Sequence, residues 1–418
     1  MARLEYDSTG RLLYTREMDR EGYTLLMPQM LPVHFRFVRR LLEMEGHRVE
    51  VLETTGRDIV DTGLQFVHND MCYPAVLVIG QLLSAVRSGR YDPDKTALLI
   101  TQTGGGCRAS NYIHMLRKAV KKAGYPQIPI VSINMSGMEP NPGFPLTLRF
   151  GRRFIFTVLY GDLLLDLGNQ CRPYETEPGT TDRLIEDWTD RLLALFSKGR
   201  GMSRPQMRRV VPQIVADFAR IPRKGPPKRR VGVVGEIYVK YAPLGNNDLA
   251  NFLLSEGVEP VIPGAADFLM MKMDNRVTDI DLYGGSPLKH VAVRFARNYF
   301  SSCKDILIAA VRKEGSFRPA SPFSDLPEVV KGYVGLGNKM GEGWLLTAEI
   351  LELIRTGTPN IVCAQPFGCL PNHIIGKGMM RKIKTDYPES NIVAVDYDPG
   401  ATRTNQENRI KLMLANAK

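Results

Sequence analysis

Apolar and polar positions in the first third of the chain follow two alternating periods. Residues 23–27 (YTLLM) are a short apolar run, followed by the amphipathic stretch 34–46 (HFRFVRRLLEMEG) and by 48–53 (RVEVLE), which alternates as a strand does. The stretch 74–86 (PAVLVIGQLLSAV) opens on proline, which suits a first helical turn. A buried strand is expected at 96–101 (TALLIT), a helix over 111–123 and a strand at 128–134 (IPIVSIN). Strand–helix alternation of this kind predicts a parallel sheet covered by helices.

From 181 to 221 the pattern turns helical, in TDRLIEDWTDRLLALFSKG and SRPQMRRVVPQIVADFARI. The Pro-rich, basic ARIPRKGPPKRR that follows reads as a linker. The strand–helix grammar then restarts: a strand running into a loop at 230–239 and a helix at 246–256, then a helix at 341–357 ended by glycine. A strand at 360–365, a helix at 372–385, a strand at 391–398 and a helix at 406–415 close the chain. The expected organisation is an N-terminal α/β domain (1–180), a helical segment with basic linker (181–228) and a C-terminal α/β domain (229–418).

At 418 residues the chain is long for one core, and 44% apolar with 24% charged residues is the composition of a soluble globular protein. The first residues carry no apolar signal-like core and no stretch approaches a membrane span, so a cytoplasmic protein without membrane contact is expected. A net charge of +11 points to acidic partners such as CoA or nucleotide phosphates, nucleic acid or an acidic protein. No basic helix with interleaved aromatics and no nucleic-acid motif is present, which argues against nucleic acid.

Six cysteines in a reducing compartment do not suggest disulfides. Three of them share one slot. Cys72, in HNDMCYP, precedes the proline-started helix; Cys107, in TQTGGGCRASNY, follows the strand TALLIT; Cys369, in AQPFGCLPNH, follows the strand NIVCAQ. Loops that lead from strand tips into helices are where open α/β sheets bind ligands, and helix N-termini favour anions, thiolates included. Cys363 sits near the end of its strand, as suited to the core as to a ligand set, while Cys171 and Cys303 read as core.

Zinc would call for close CxxC pairs, and none exists here. Widely spaced cysteines on loops of two domains, with glycines beside them, fit an iron–sulfur cluster held across a cleft. A Cys/His nucleophile is the rival, since His68 and His373 each lie four residues from a cysteine. A nucleotide-binding loop is a third reading, although TQTGGGCRASNY lacks the Lys-Ser/Thr of a P-loop and the spacing of a dinucleotide fingerprint. Near the cysteines, Arg108, Asn111, Asn372 and His373 are possible supporting donors or simple loop caps. Glu236, in VGEIYV, is expected at a strand end facing the cleft, as an acid/base group or a salt-bridge partner.

The motifs HNDMCYP, ITQTGGGCRASNYI, CRPYE, VGEIYVKYAPLGNN, GEGW, QPFGCLPNHIIGKGM and VDYDPGATRTNQENRIKLML resemble those of the 2-hydroxyacyl-CoA dehydratase superfamily, from residue 23 to the C-terminus. The branch most similar is the dehydratase-like part of the acyl-CoA dehydratase activase-related proteins. The resemblance implies two Rossmann-like parallel-sheet α/β domains joined by a helical segment. It implies a [4Fe-4S] cluster, or alternatively an [8Fe-9S] double cubane, for which six cysteines suffice. Cys72, Cys107 and Cys369 match the motif cysteines, with Cys363 a possible fourth ligand. It further implies a homodimer or heterodimer that acts on an acyl-CoA or other small molecule. Low-potential electrons would come from an ATP-dependent activator with its own [4Fe-4S] cluster. No activator-type phosphate loops are present, so the activator is expected to be a separate polypeptide. The CoA-binding determinants do not carry over clearly. A non-catalytic electron-transfer or cluster-carrier subunit docking to an ATPase is therefore the alternative.

Overall fold

The computed structural model describes residues 2–68, 70–102, 105–133 and 139–416. Asn69, Thr103, Gly104 and Asn134, which fall within motifs or elements noted above, lie outside the described residues. The first half runs α1 (Arg16–Arg20), β1 (Thr24–Pro28), α2 (Pro32–Met44), β2 (Arg48–Leu52), α3 (Arg57–Phe66), α4 (Tyr73–Arg87), β3 (Thr96–Thr101), α5 (Tyr112–Lys122) and β4 (Ile130–Ile133). Long helices follow: α6 (Leu148–Cys171), α7 (Thr180–Ser197) and α8 (Arg204–Ala219). The second half opens with β5 (Arg230–Gly235), short helices α9 (Ile237–Tyr241), α10 (Pro243–Asn246) and α11 (Leu249–Ser255), and β6 (Glu259–Val261). Helices α12 (Ala266–Tyr283), α13 (Pro287–Glu314), α14 (Asp325–Val329) and α15 (Trp344–Arg355) lead to β7 (Asn360–Pro366), α16 (Met380–Asp386), β8 (Asn391–Tyr397) and α17 (Arg403–Ala415).

Among the described residues the strands form two four-stranded, all-parallel sheets, in the orders β2-β1-β3-β4 and β6-β5-β7-β8. These are two Rossmann-like α/β units. Both sheets are covered on both faces, which explains the unbroken apolar runs: β3 is buried up to Thr101 and β7 along its whole length. In each sheet the order reverses beside its first strand, between β1 and β3 and again between β5 and β7. Such a reversal opens a crevice beyond the carboxyl ends of the strands. No helix is long and apolar enough to cross a membrane among the described residues.

The helical layer is larger than the pattern in 181–228 suggests. It takes in α6 from within the first 180 residues and α12 and α13 from the last third. Helix α6 supplies the joint between the two sheets' helices. Its Asp162 carboxylate accepts from His34 Nε2 of α2 at 2.9 Å and from the backbone N–H groups of Ala265 and Ala266, at the start of α12, at 2.8 and 2.7 Å. The contact leaves no room for a side chain at 264, where a Cβ would stand 2.4 Å from Asp162 Oδ2. One carboxylate thus caps a helix of the second half while bonded to a helix of the first, in a setting where charged acceptors are at their strongest.

Asp162→Ala is expected to lower folding stability by roughly 2–4 kcal/mol, because two helix-terminal donors and an imidazole lose their acceptor together. Urea unfolding followed by far-UV circular dichroism measures this; a midpoint equal to wild type would show that the joint contributes nothing.

Candidate functional site

The loops at the two crevices touch, and three cysteines lie on them. Cys107 follows β3 and Cys369 follows β7, so each stands at the carboxyl end of a strand bordering its sheet's reversal point. Cys72 is the N-cap residue of α4. The Cys72 and Cys369 loops are tied by a hydrogen bond of 2.9 Å from the Tyr73 N–H to the Phe367 carbonyl. Gly368 makes this approach possible: its φ is +73°, and a Cβ there would lie 3.0 Å from Cys72 Cα. The Cys107 loop joins through Arg108, which donates to the Asp70 carbonyl at 2.6 Å. Tyr112, at the start of α5, shares a 2.7 Å hydrogen bond with Cys72 Sγ. The loop before α15 covers Cys107: Met340 packs against Gly106, and a methyl group on Gly341 would stand 3.9 Å from Cys107 Sγ and 3.3 Å from the Pro371 ring.

Each of the three thiols also faces the start of a helical turn. Backbone N–H groups two or three residues on, of Ala75, Ala109 and Asn372, favour the thiolates of Cys72, Cys107 and Cys369. At Cys72 and Cys107 they stop short of a full capping bond. Burial outweighs them. It pushes the Cys72 thiol up to about 11 and raises Cys107 and Cys369 as well, with the nearby carboxylates of Glu342 and Glu236 adding to the effect.

Those two carboxylates share the N-terminus of α9. Glu236 accepts from the Val239 N–H at 3.0 Å and Glu342 from the Ile237 N–H at 2.9 Å. Burial first, and then its neighbour Glu342, pushes Glu236 up to about 8. Burial raises Glu342 too, against the pull of its helix N–H bond and of Lys272 and Lys240. Lys272 of α12 donates to the carbonyls of Lys339 and Gly341, holding the loop that carries Glu342. The same burial lowers the Lys272 ammonium, opposed by Glu342 and Cys107. The interior of the junction therefore holds soft thiols beside two carboxyl groups whose charged forms burial disfavours.

Cys363 is placed differently from these three cysteines. Its side chain lies in the interior of β7, with Sγ 3.5 Å from Asn372 Oδ1 and with Asp396, Glu349 and Lys377 as its charged neighbours. Strand pairing on both sides, to Val234 and Ala394, fixes it there. Cys171, at the end of α6, and Cys303, on α13, are buried in the helical core as expected. Asn372 donates to the Ala364 carbonyl and serves the loop's own structure. His373 pairs with Gln365, and His68 with Asp70, so neither imidazole is bonded to a cysteine as a Cys/His nucleophile requires. Asn111 makes no side-chain cap to α5. Glu236 stands where it was expected. Glu342, Lys272 and Tyr112 were not singled out by motif reasoning; GEGW flags Glu342 only as part of a resemblance, and Lys272 carries no local signal.

Among the described residues, no three His, Cys, Asp or Glu side chains converge as the ligands of a single metal ion do. A cleft of about 1710 Å³ lies elsewhere, and none of the three cysteines lines it. No protein-family model matches the chain, and no curated protein matches it in sequence.

Ionising Glu236 within the junction is unfavourable, and the sign of its pH effect follows. Its folded value, about 8, lies above the ordinary 4.5, so its contribution is fully present below about 4.5 and is lost as pH rises through about 8. Relative to Glu236→Gln, wild type is expected to lose stability over that window, by at most about 1.4 kcal/mol per pH unit. Urea midpoints of both proteins across the window test this; parallel pH profiles would contradict it.

Proposed function

We propose that Cys72, Cys107 and Cys369 hold an iron–sulfur cluster at the junction of the two α/β units. On this reading the chain is a cytoplasmic protein of the 2-hydroxyacyl-CoA dehydratase type. The observation that carries the reading is the meeting of the loops that bear three thiols. The thiols are remote in sequence, come from both units, and occupy matching positions at helix starts by the two crevices. The donor set is three sulfur donors, and soft thiolates suit iron–sulfur chemistry better than a hard or borderline ion. A cluster's ligands stand farther apart than those of one ion, which suits three thiols on separate loops. The motif resemblance noted above supports the same reading and names the same three cysteines. Cys363 is left out of the proposed ligand set because its strand holds it in the core.

When bound, the cluster supplies a low-potential store for one electron at a time. The chain's own residues set the surroundings. Helix N–H groups and the Tyr112 hydroxyl reach toward sulfur and stabilise its negative charge. Glu236, pushed up to about 8 by burial and by Glu342, would keep its proton below that pH and offer it to a substrate reduced there. Electrons would come from a separate ATP-dependent activator, and the substrate would be an acyl-CoA ester or another small molecule undergoing reductive or radical chemistry.

Anoxic purification with iron and sulfide analysis tests the cluster. Wild type is expected to be brown and to contain both elements. Cys72→Ser, Cys107→Ser and Cys369→Ser should each lose most of the iron, whereas Cys171→Ser and Cys303→Ser should retain it. A colourless, iron-free wild type from anoxic cells would overturn the proposal. Turnover of a hydroxyacyl-CoA with activator and ATP, against reduction without any CoA ester, then separates dehydratase from reductase.

A further inference from the structure

Helices α12 and α13 form a hairpin whose tip carries large apolar side chains in solvent. On α13 these recur at helical spacing: Leu288 (80% exposed), Val291 (64%), Phe295 (73%) and Tyr299. Leu282 and Tyr283 continue the patch at the turn, and Leu148, 95% exposed at the start of α6, stands nearby across the cleft noted above. Phe295 and Tyr299 belong both to the stripe and to the wall of that cleft, with Leu148 and Phe154 among the lining opposite. An apolar stripe continuous with an apolar groove is a surface shaped for an amphipathic element.

Size and charge define the occupant. At about 1710 Å³ the cleft exceeds the ~300–1,000 Å³ of small-molecule pockets, and suits a length of polypeptide instead. The segment 285–299 contains Lys289, His290, Arg294 and Arg297 and no acidic residue. Lys289 and Arg294, beside the stripe, and Arg149, beside Leu148, are exposed and have no acidic partner among the described residues. Within the cleft, Asp7 and Glu139 are matched by Arg11 and Arg117, and the further Arg16 and Arg152 leave the lining positive. A second copy of this face would set like charges against each other, and a flat lipid surface would leave the groove unfilled.

We infer that the α12–α13 stripe and its adjoining groove dock an acidic amphipathic α-helix presented by a partner protein. Its apolar side chains enter between Phe295 and Leu148, and its carboxylates meet Lys289, Arg294 and Arg149. The inference is independent of the iron–sulfur reading, because none of its residues touches the cysteine junction.

The probe is a fluorescein-labelled helical peptide of about 20 residues, long enough to hold helix, with leucines on one face and glutamates on the other. The protein should bind it saturably and more weakly as salt is raised, and should not bind the same peptide with lysine for glutamate. Phe295→Glu and Leu288→Glu should each weaken binding by roughly an order of magnitude or more, and Lys289→Glu with Arg294→Glu severalfold, all with unchanged melting temperatures. Absence of saturable binding to the acidic peptide, or binding unchanged in Phe295→Glu, would overturn the inference. So would a wild-type dimer that Phe295→Glu dissolves in sedimentation, which assigns the face to a second copy. Flotation with anionic vesicles that Phe295→Glu abolishes would likewise overturn it, by assigning the face to lipid.

Discussion

The Asp162 carboxylate is the contact on which the rest of the architecture depends. Two parallel sheets, each complete with its own helices, have no strand in common, so their relative placement rests on the helices between them. Asp162 sits on the longest of the helices joining the two sheets in sequence. It is bonded to α2, which packs on the first sheet, and to the start of α12, whose Lys272 donates to the loop over Cys107. A charged acceptor satisfied three times over in a half-buried setting is directional in a way that apolar packing is not. The approach at Gly264, closed to any side chain, restricts the joint to one geometry.

With the sheets so placed, burial becomes a chemical agent. Three thiols and two carboxyl groups, which water would leave near their ordinary proton affinities, are held in a cleft that disfavours their charged forms. Helix N-termini oppose this at every one of the five groups, through Ala75, Ala109, Asn372, Val239 and Ile237. Burial prevails at each of them, so the neutral forms are favoured. On the proposed reading, a positively charged iron–sulfur centre bound there would offset that penalty by compensating the thiolate charge.

Much of the fold was legible because short apolar runs mark buried parallel strands. β3 falls on TALLIT as read, and β1, β2, β7 and β8 lie within a residue or two of their predicted runs; β5 starts at Arg230 as read, but helix α9 stands where the loop up to 239 was expected. The long helices α6, α12 and α13 were not read as such, for identifiable reasons. α6 is apolar on most of its faces because it packs between the two halves, and the exposed half of α13 carries its large apolar residues into solvent, so neither shows the usual contrast of faces. The helix expected over 372–385 is broken by a π-type turn at Asn372–Gly376, where Gly376 packs against Cys363 and Leu346. At the site, loop position alone picked out Cys72, Cys107 and Cys369. Glu342 and Lys272 reach the junction only through tertiary packing, which no local pattern encodes.

The central claim is that one iron–sulfur centre is held between the two α/β units by cysteines from both. Anomalous diffraction at the iron absorption edge, from crystals grown without oxygen, tests it most directly. The account predicts a single compact iron peak bounded by the sulfur atoms of Cys72, Cys107 and Cys369. Iron bound at Cys363 apart from those three, or a junction without iron in protein that retains it elsewhere, would contradict it.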